Sequence, residues 1–145
     1  MSQPVEQIPL DDNIGYVLKV AATALHTAMD AALRPEGLTV SQYSCLELLG
    51  RVPGQTNAKL ARGAFVTPQS MNDLLRGLQR RGLVERPDEV DVGRARPSHL
   101  TARGRQALDA ARTALDGVSN TTAVVAAEHP HLLADLKAIV RALEG

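Results

Sequence analysis

The chain is nearly without aromatic rings. Tyr16, Tyr43 and Phe65 are all it has, and tryptophan is absent. Single-stranded nucleic acid is held by successive bases stacked on such rings, so that mode of binding is excluded. A lone cysteine, Cys45, excludes an internal disulfide and any multi-cysteine metal cluster. No apolar run approaches the roughly 18 residues of a membrane span, so no membrane partner is expected. Residues 1–15 carry neither a basic n-region nor an apolar h-region, so no secretory signal is expected and the cytoplasm is the expected compartment. Glycine-rich phosphate loops, a G-x-S-x-G elbow and an H-E-x-x-H pair are all missing. The histidines are His26, His99, His129 and His131. His129 and His131 flank Pro130 at a helix start with no third ligand, so helix capping accounts for them better than zinc. The expectation is a chain that is not an enzyme and holds no metal or cofactor.

What is present fits one domain spanning residues 1–145. The composition, 44% apolar and 22% charged, is that of a globular protein. A net charge of zero conceals segregation. Residues 1–50 carry two basic and six acidic residues, net −4, and residues 106–145 carry three against five, net −2. Residues 51–105 hold eleven of the sixteen basic residues against five acids, net +6. A basic block between acidic ends is the footprint of an anionic partner, or a solvated surface that clusters arginine.

The ends of the chain read as helices. From Ile14 the apolar positions Val17, Leu18, Ala21, Leu25, Ala28, Ala32 and Leu33 recur at spacings of three and four, behind Asp11, Asp12 or Asn13 as N-cap. Pro35 and Gly37 end this helix. Leu108, Ala111, Leu115 and Val118 form a second stripe behind Thr101, and Leu132, Leu133, Leu136, Ile139, Val140 and Leu143 a third. Alanine-rich faces allow close helix approach, so residues 14–34 and 102–145 are expected to form a dimerisation layer rather than a monomeric bundle.

Between them, residues 38–100 read as a DNA-binding lobe. Thr39-Val40-Ser41-Gln42 matches a capping box. Its helix turns Tyr43, Leu46 and Leu49 inward, with Cys45 on the buried face as an inert structural thiol. After Pro53-Gly54, Thr56 caps a short helix with Ala58, Leu60 and Ala61, broken at Gly63. Thr67-Pro68 then opens a longer helix burying Met71, Leu74, Leu75 and Leu78. A short helix, a brief break and a longer helix describe a helix-turn-helix. By exclusion, the exposed face of the second helix carries Gln69, Ser70, Asn72, Asp73, Arg76 and Arg80. Gln69, Ser70, Asn72 and Arg76 are assigned to bases, and Thr67 and Arg80 to the DNA backbone. Leu83–Arg86 and Ser98–Leu100 read as strands of a two-stranded wing. The charged loop between them places Arg94, with Arg96 as helper, to enter a narrow minor groove. Arg86 is expected to orient the wing.

The run QRRGLVERPDEVDVGRARPSHLTARG resembles the winged-helix signature of the MarR family of bacterial transcriptional regulators. Leu78, Arg81, Gly82, Leu83, Val84, Arg86, Leu100, Thr101 and Gly104 carry the likeness. Nearly the whole chain agrees in helix order and length. The resemblance implies a mainly α-helical homodimer whose terminal helices pair, with two winged lobes reading a pseudo-palindrome in duplex DNA, most often as a repressor. It also implies an effector site among the first, second and fifth helices for a planar aromatic acid or phenol, where His26, Tyr43 and Arg105 are the polar groups to hand. A cysteine near the start of the first helix, as in redox-sensing members, is missing. Two departures stand out. Val92 occupies the wing position where the family usually has aspartate, with Asp91 one residue early, and Asp73 stands where a basic residue is common. These two features keep an alternative open, a winged-helix protein-interaction module or anti-regulator that has lost specific DNA binding. Pro97 suits an edge strand.

Overall fold

The computed structural model describes residues 8–86 and 97–145. Helix α1 (Ile14–Leu33) is followed by α2 (Val40–Arg51), α3 (Asn57–Gly63) and α4 (Pro68–Arg80). Strands β1 (Val84–Glu85) and β2 (His99–Leu100) come next, then α5 (Ala102–Ala114), α6 (Asp116–Glu128) and α7 (Leu132–Glu144). This is the mainly helical winged arrangement expected, and local chemistry explains its boundaries.

Of the three possible caps on α1, Asn13 is the one used: its side chain accepts from the Tyr16 amide at 3.0 Å. The helix stops where Pro35 enters a 3-10 turn, and Gly37 takes the left-handed conformation (φ 68°) that favours glycine. The capping box on α2 is complete, with Gln42 N donating to Thr39 Oγ1 at 3.1 Å and Thr39 N to Gln42 Oε1 at 3.0 Å. Thr56, Thr67 and Thr101 cap α3, α4 and α5 in the same way, each accepting from the amide three residues on.

The two strands pair antiparallel, Val84 opposite Leu100 and Glu85 opposite His99. The wing base has a third segment that the sequence reading omits: Ser98 bridges to Gln55, its amide donating to the Gln55 carbonyl at 3.2 Å. The Leu-Thr-x-x-Gly run has a direct physical meaning here. Thr101 N donates to Leu83 O at 3.1 Å, and the Thr101 hydroxyl donates to Gly82 O. A Cβ on Gly104 would lie 1.9 Å from Leu83 O, so only glycine lets α5 start against the strand.

One core holds the lobe together. Leu33 from α1, Leu46 and Leu49 from α2, Leu60 from α3, Met71, Leu75 and Leu78 from α4, and Leu108 from α5 are fully buried in it. The stripe Leu108, Ala111 and Leu115, expected in the dimerisation layer, is thus spent within the chain, chiefly against α2. By contrast α6 and α7 bury no residue at all. Val124, Val125, Leu133, Leu136, Val140 and Leu143 stand exposed on them. Two apolar grooves run along this surface. One of about 470 Å³ lies between Ala21, Ala24 and Ala28 of α1 and Gly117, Val118 and Thr121 of α6. The other, of about 640 Å³, is lined by Leu18, Ala22 and Leu25 of α1, Val125 of α6, and Leu132 and Leu136 of α7. Among the described residues no helix is long and apolar enough to cross a membrane.

Candidate nucleic-acid interface

The helix-turn-helix is built by α3 and α4, held at their N-terminal ends by Asn57 Nδ2, which donates to Pro68 O at 3.0 Å. With Met71, Leu75 and Leu78 committed to the core, the opposite face of α4 presents Gln69, Ser70, Asp73, Arg76 and Arg80 to solvent. Thr67 is exposed too, but its hydroxyl is engaged: it accepts from Ser70 N at 3.0 Å and donates to Ser70 Oγ at 2.9 Å. The Ser70 hydroxyl thus accepts from Thr67 and keeps its own proton to donate. Asn72 sits on the flank of the helix, half-buried, and its Oδ1 accepts from Arg86 Nη2 at 3.2 Å. At the far end of α4, Arg81 Nη1 donates to Gly37 O at 2.9 Å and so anchors the helix to the turn after α1.

Amide, hydroxyl and guanidinium groups along one exposed helix face are the groups that reach base edges and phosphates. The assignment of Arg94 and Arg96 to the minor groove, and the departure at Val92 and Asp91, lie outside the described residues.

Two features of this surface escaped the sequence reading. Phe65, in the turn between α3 and α4, has φ 60° and is 93% exposed. It directly follows Ala64, the C-cap of α3, a position that favours glycine, and its residue type carries no signal of that conformation. The Arg86–Asn72 bond spans 14 residues between strand and helix, and no periodicity announces it.

Neither apolar groove brings the three effector-pocket candidates together. His26 is exposed on α1 and Arg105 on α5, and neither apolar groove is lined by them or by Tyr43. The Tyr43 hydroxyl instead donates to Glu47 Oε2 at 3.1 Å. Burial first, and then the Glu47 carboxylate, push its pKa above the ordinary tyrosine value. Glu47 is also held by Arg112 and Arg51, neither of which sequence reasoning singled out. Cys45 is fully buried, and burial pushes its thiol up to about 12, which makes it inert. Among the described residues no group of three or more histidine, cysteine or carboxylate side chains is placed to hold a metal ion.

Comparison with known proteins agrees with this geometry. The sequence pattern of the MarR family matches residues 36–95. The HTH-type transcriptional repressor Rv2887 of Mycobacterium tuberculosis is 47% identical over 95 residues, which are 66% of this chain and 68% of that protein. The crystal structure of Rv2887 with salicylic acid superposes with a TM-score of 0.65 at 37% identity, covering 97% of this chain and 99% of that one. The structure of Rv2887 in complex with DNA gives a TM-score of 0.66 at 36% identity over 93% of this chain and 100% of the other.

Proposed function

The chain belongs to the MarR family, and from that premise we propose that it is a transcriptional repressor that binds duplex DNA as a homodimer. The observation that carries this reading is the exposed face of α4, with Gln69, Ser70, Arg76 and Arg80 on a capped helix whose other side is locked into the core. Gln69, Ser70, Asn72 and Arg76 read bases. Arg80 and the N-terminal turn at Thr67 meet phosphates. Arg94, helped by Arg96, enters the minor groove. The apolar faces of α6 and α7, on which no residue is buried, support pairing with a second copy, which sets two lobes on the half-sites of a pseudo-palindrome. Rv2887 has been crystallised with salicylic acid. On that basis a planar aromatic acid is the effector class, with His26, Tyr43 and Arg105 its polar contacts. The cytoplasm, where duplex DNA is reached, is the working compartment.

The test is fluorescence anisotropy with a labelled duplex from the region upstream of the chain's own gene, at two salt concentrations, against unlabelled unrelated duplex. Tight binding that weakens with salt and survives the competitor is expected, through counterion release on a specific site. Weak binding abolished equally by any DNA would put the protein-interaction reading first. A panel of aromatic acids added to the bound complex tests the effector, and release by none of them removes it.

A further inference from the structure

Arg86 and Asn72 meet where the wing joins the recognition helix. Arg86 follows β1, whose Val84 is buried and fixes the root of the side chain, and β1 packs on α4. A guanidinium carries five N–H donors and no acceptor, so the atom of Asn72 that faces it at 3.2 Å has to be the carbonyl oxygen. Turning the amide over would set an NH2 group against a donor. An exposed asparagine is free to present either its donor or its acceptor to a base, but this one is half-buried and its oxygen is engaged. Its Nδ2 has no partner among the described residues.

We infer that Arg86 is a positioning residue for base reading, fixing the Asn72 amide so that it offers a donor to the major groove and excludes cytosine at one base position. Guanine offers N7 and O6 there, adenine N7 and thymine O4, all acceptors, whereas cytosine offers only its N4 amino donor. The wing thereby shapes the specificity of a helix it does not belong to. This inference rests on the reading of α4 as the recognition helix.

The experiment selects duplexes from a randomised library with the full-length protein. The best duplex and its three substitutions at every base pair are then measured by anisotropy. The wild type is expected to disfavour cytosine about tenfold at one position, the usual scale for a single mismatch. In Arg86→Leu the freed amide turns its oxygen toward cytosine, and that penalty falls to about twofold. Arg86→Lys, which keeps a donor, restores part of it. Asn72→Asp keeps the bond to Arg86 but replaces the donor by an acceptor, so cytosine becomes the favoured base at that position. Asn72→Asp carries the test independently should Arg86→Leu fail to fold by circular dichroism. An Arg86→Leu protein that loses affinity for all duplexes alike, with the cytosine penalty intact, overturns the inference and leaves Arg86 a wing residue only. A wild type that selects no sequence overturns the reading of α4 itself, an outcome distinct from the first.

Discussion

Arg112 of α5 grips Glu47 of α2 with two parallel bonds, Nη2 to Oε1 at 2.9 Å and Nε to Oε2 at 3.0 Å. This fork is a polar tie between the helix that opens the C-terminal segment and the lobe. Arg51 Nε adds a bond to Oε1 at 2.8 Å and the Tyr43 hydroxyl one to Oε2 at 3.1 Å. The Arg112 bond is the main reason the Glu47 carboxyl is held down at about 2, against a burial effect that acts upward.

That arrangement predicts a specific dependence of stability on pH. The folded pKa of Glu47 lies below its unfolded value of 4.5, so its contribution is present above pH 4.5 and is lost as pH falls toward 2. The Glu47 side chain is only 14% exposed but Arg112 is 45% exposed, so solvent screening reduces the coupling. Glu47→Gln should cost about 2 kcal/mol at pH 7 in urea unfolding, and the gap to wild type should close by about half or more at pH 3. A gap of the same size at both values would show that the carboxylate charge is not what ties α5 to α2.

Gly104 makes a sterner prediction. Its missing side chain is what allows the first turn of α5 to rest on the Leu83 carbonyl, with a Cβ distance of 1.9 Å if one were added. Backbone has to move to admit a methyl group, so Gly104→Ala should destabilise by about 3 kcal/mol despite alanine's higher helix propensity. The urea midpoint measures it. A neutral or stabilising result would mean that strand and helix are not packed this closely.

Phe65 predicts the opposite sign. A side chain at φ 60° is crowded by its own backbone, and a ring that is 93% exposed returns little packing. Asparagine adopts the left-handed conformation more readily, so Phe65→Asn should raise stability by about 0.5–1 kcal/mol. A loss of stability on the same measurement would show the ring to be packed in solution.

These contacts mark the boundary of what the amino-acid order reveals. Helix starts are legible because a cap acts over three residues: Thr39, Thr56, Thr67 and Thr101 each stand where their hydroxyl meets an orphan amide. The buried and exposed faces of α4 are equally legible, because apolar spacing reports which side turns inward. Periodicity is silent on what that side meets. Leu108, Ala111 and Leu115 were expected in a dimer layer and lie in the lobe core, since one stripe serves either purpose. Pairings such as Glu47 with Arg112, 65 residues apart, depend on two long side chains converging across the fold, and no local rule encodes them. Asn72 was legible as a polar residue of α4, but its fixed amide was not.

On the proposed reading, the exposed face of α4 separates two kinds of DNA contact. Arg80 lies at the C-terminal end of the helix, so Arg80→Ala should weaken binding to every duplex alike and lower the salt slope by about one. Gln69 is in the first turn, where recognition helices meet base edges. Gln69→Ala should instead relax preference at one base pair, with the salt slope unchanged. Anisotropy titrations across a salt series distinguish the two, and a reversed pattern would exchange their roles.

The apolar surface of α6 and α7 gives the last prediction its leverage. Leu133 is 64% exposed and Leu143 81% exposed, and they accompany two apolar grooves that reach α1. Exposed patches of this kind mark an interface, because water penalises them and a second copy removes the penalty. The wild type should therefore sediment at twice the 15.5 kDa chain mass. Leu133→Asp places a charge in that layer and should shift the protein to the single-chain mass while the lobe, whose core it does not touch, stays folded by circular dichroism. Each lobe would then bind its half-site alone, and losing the linkage between two half-sites should weaken operator binding by about 100-fold or more. A wild type that sediments at 15.5 kDa and still binds tightly would assign the exposed face to another partner.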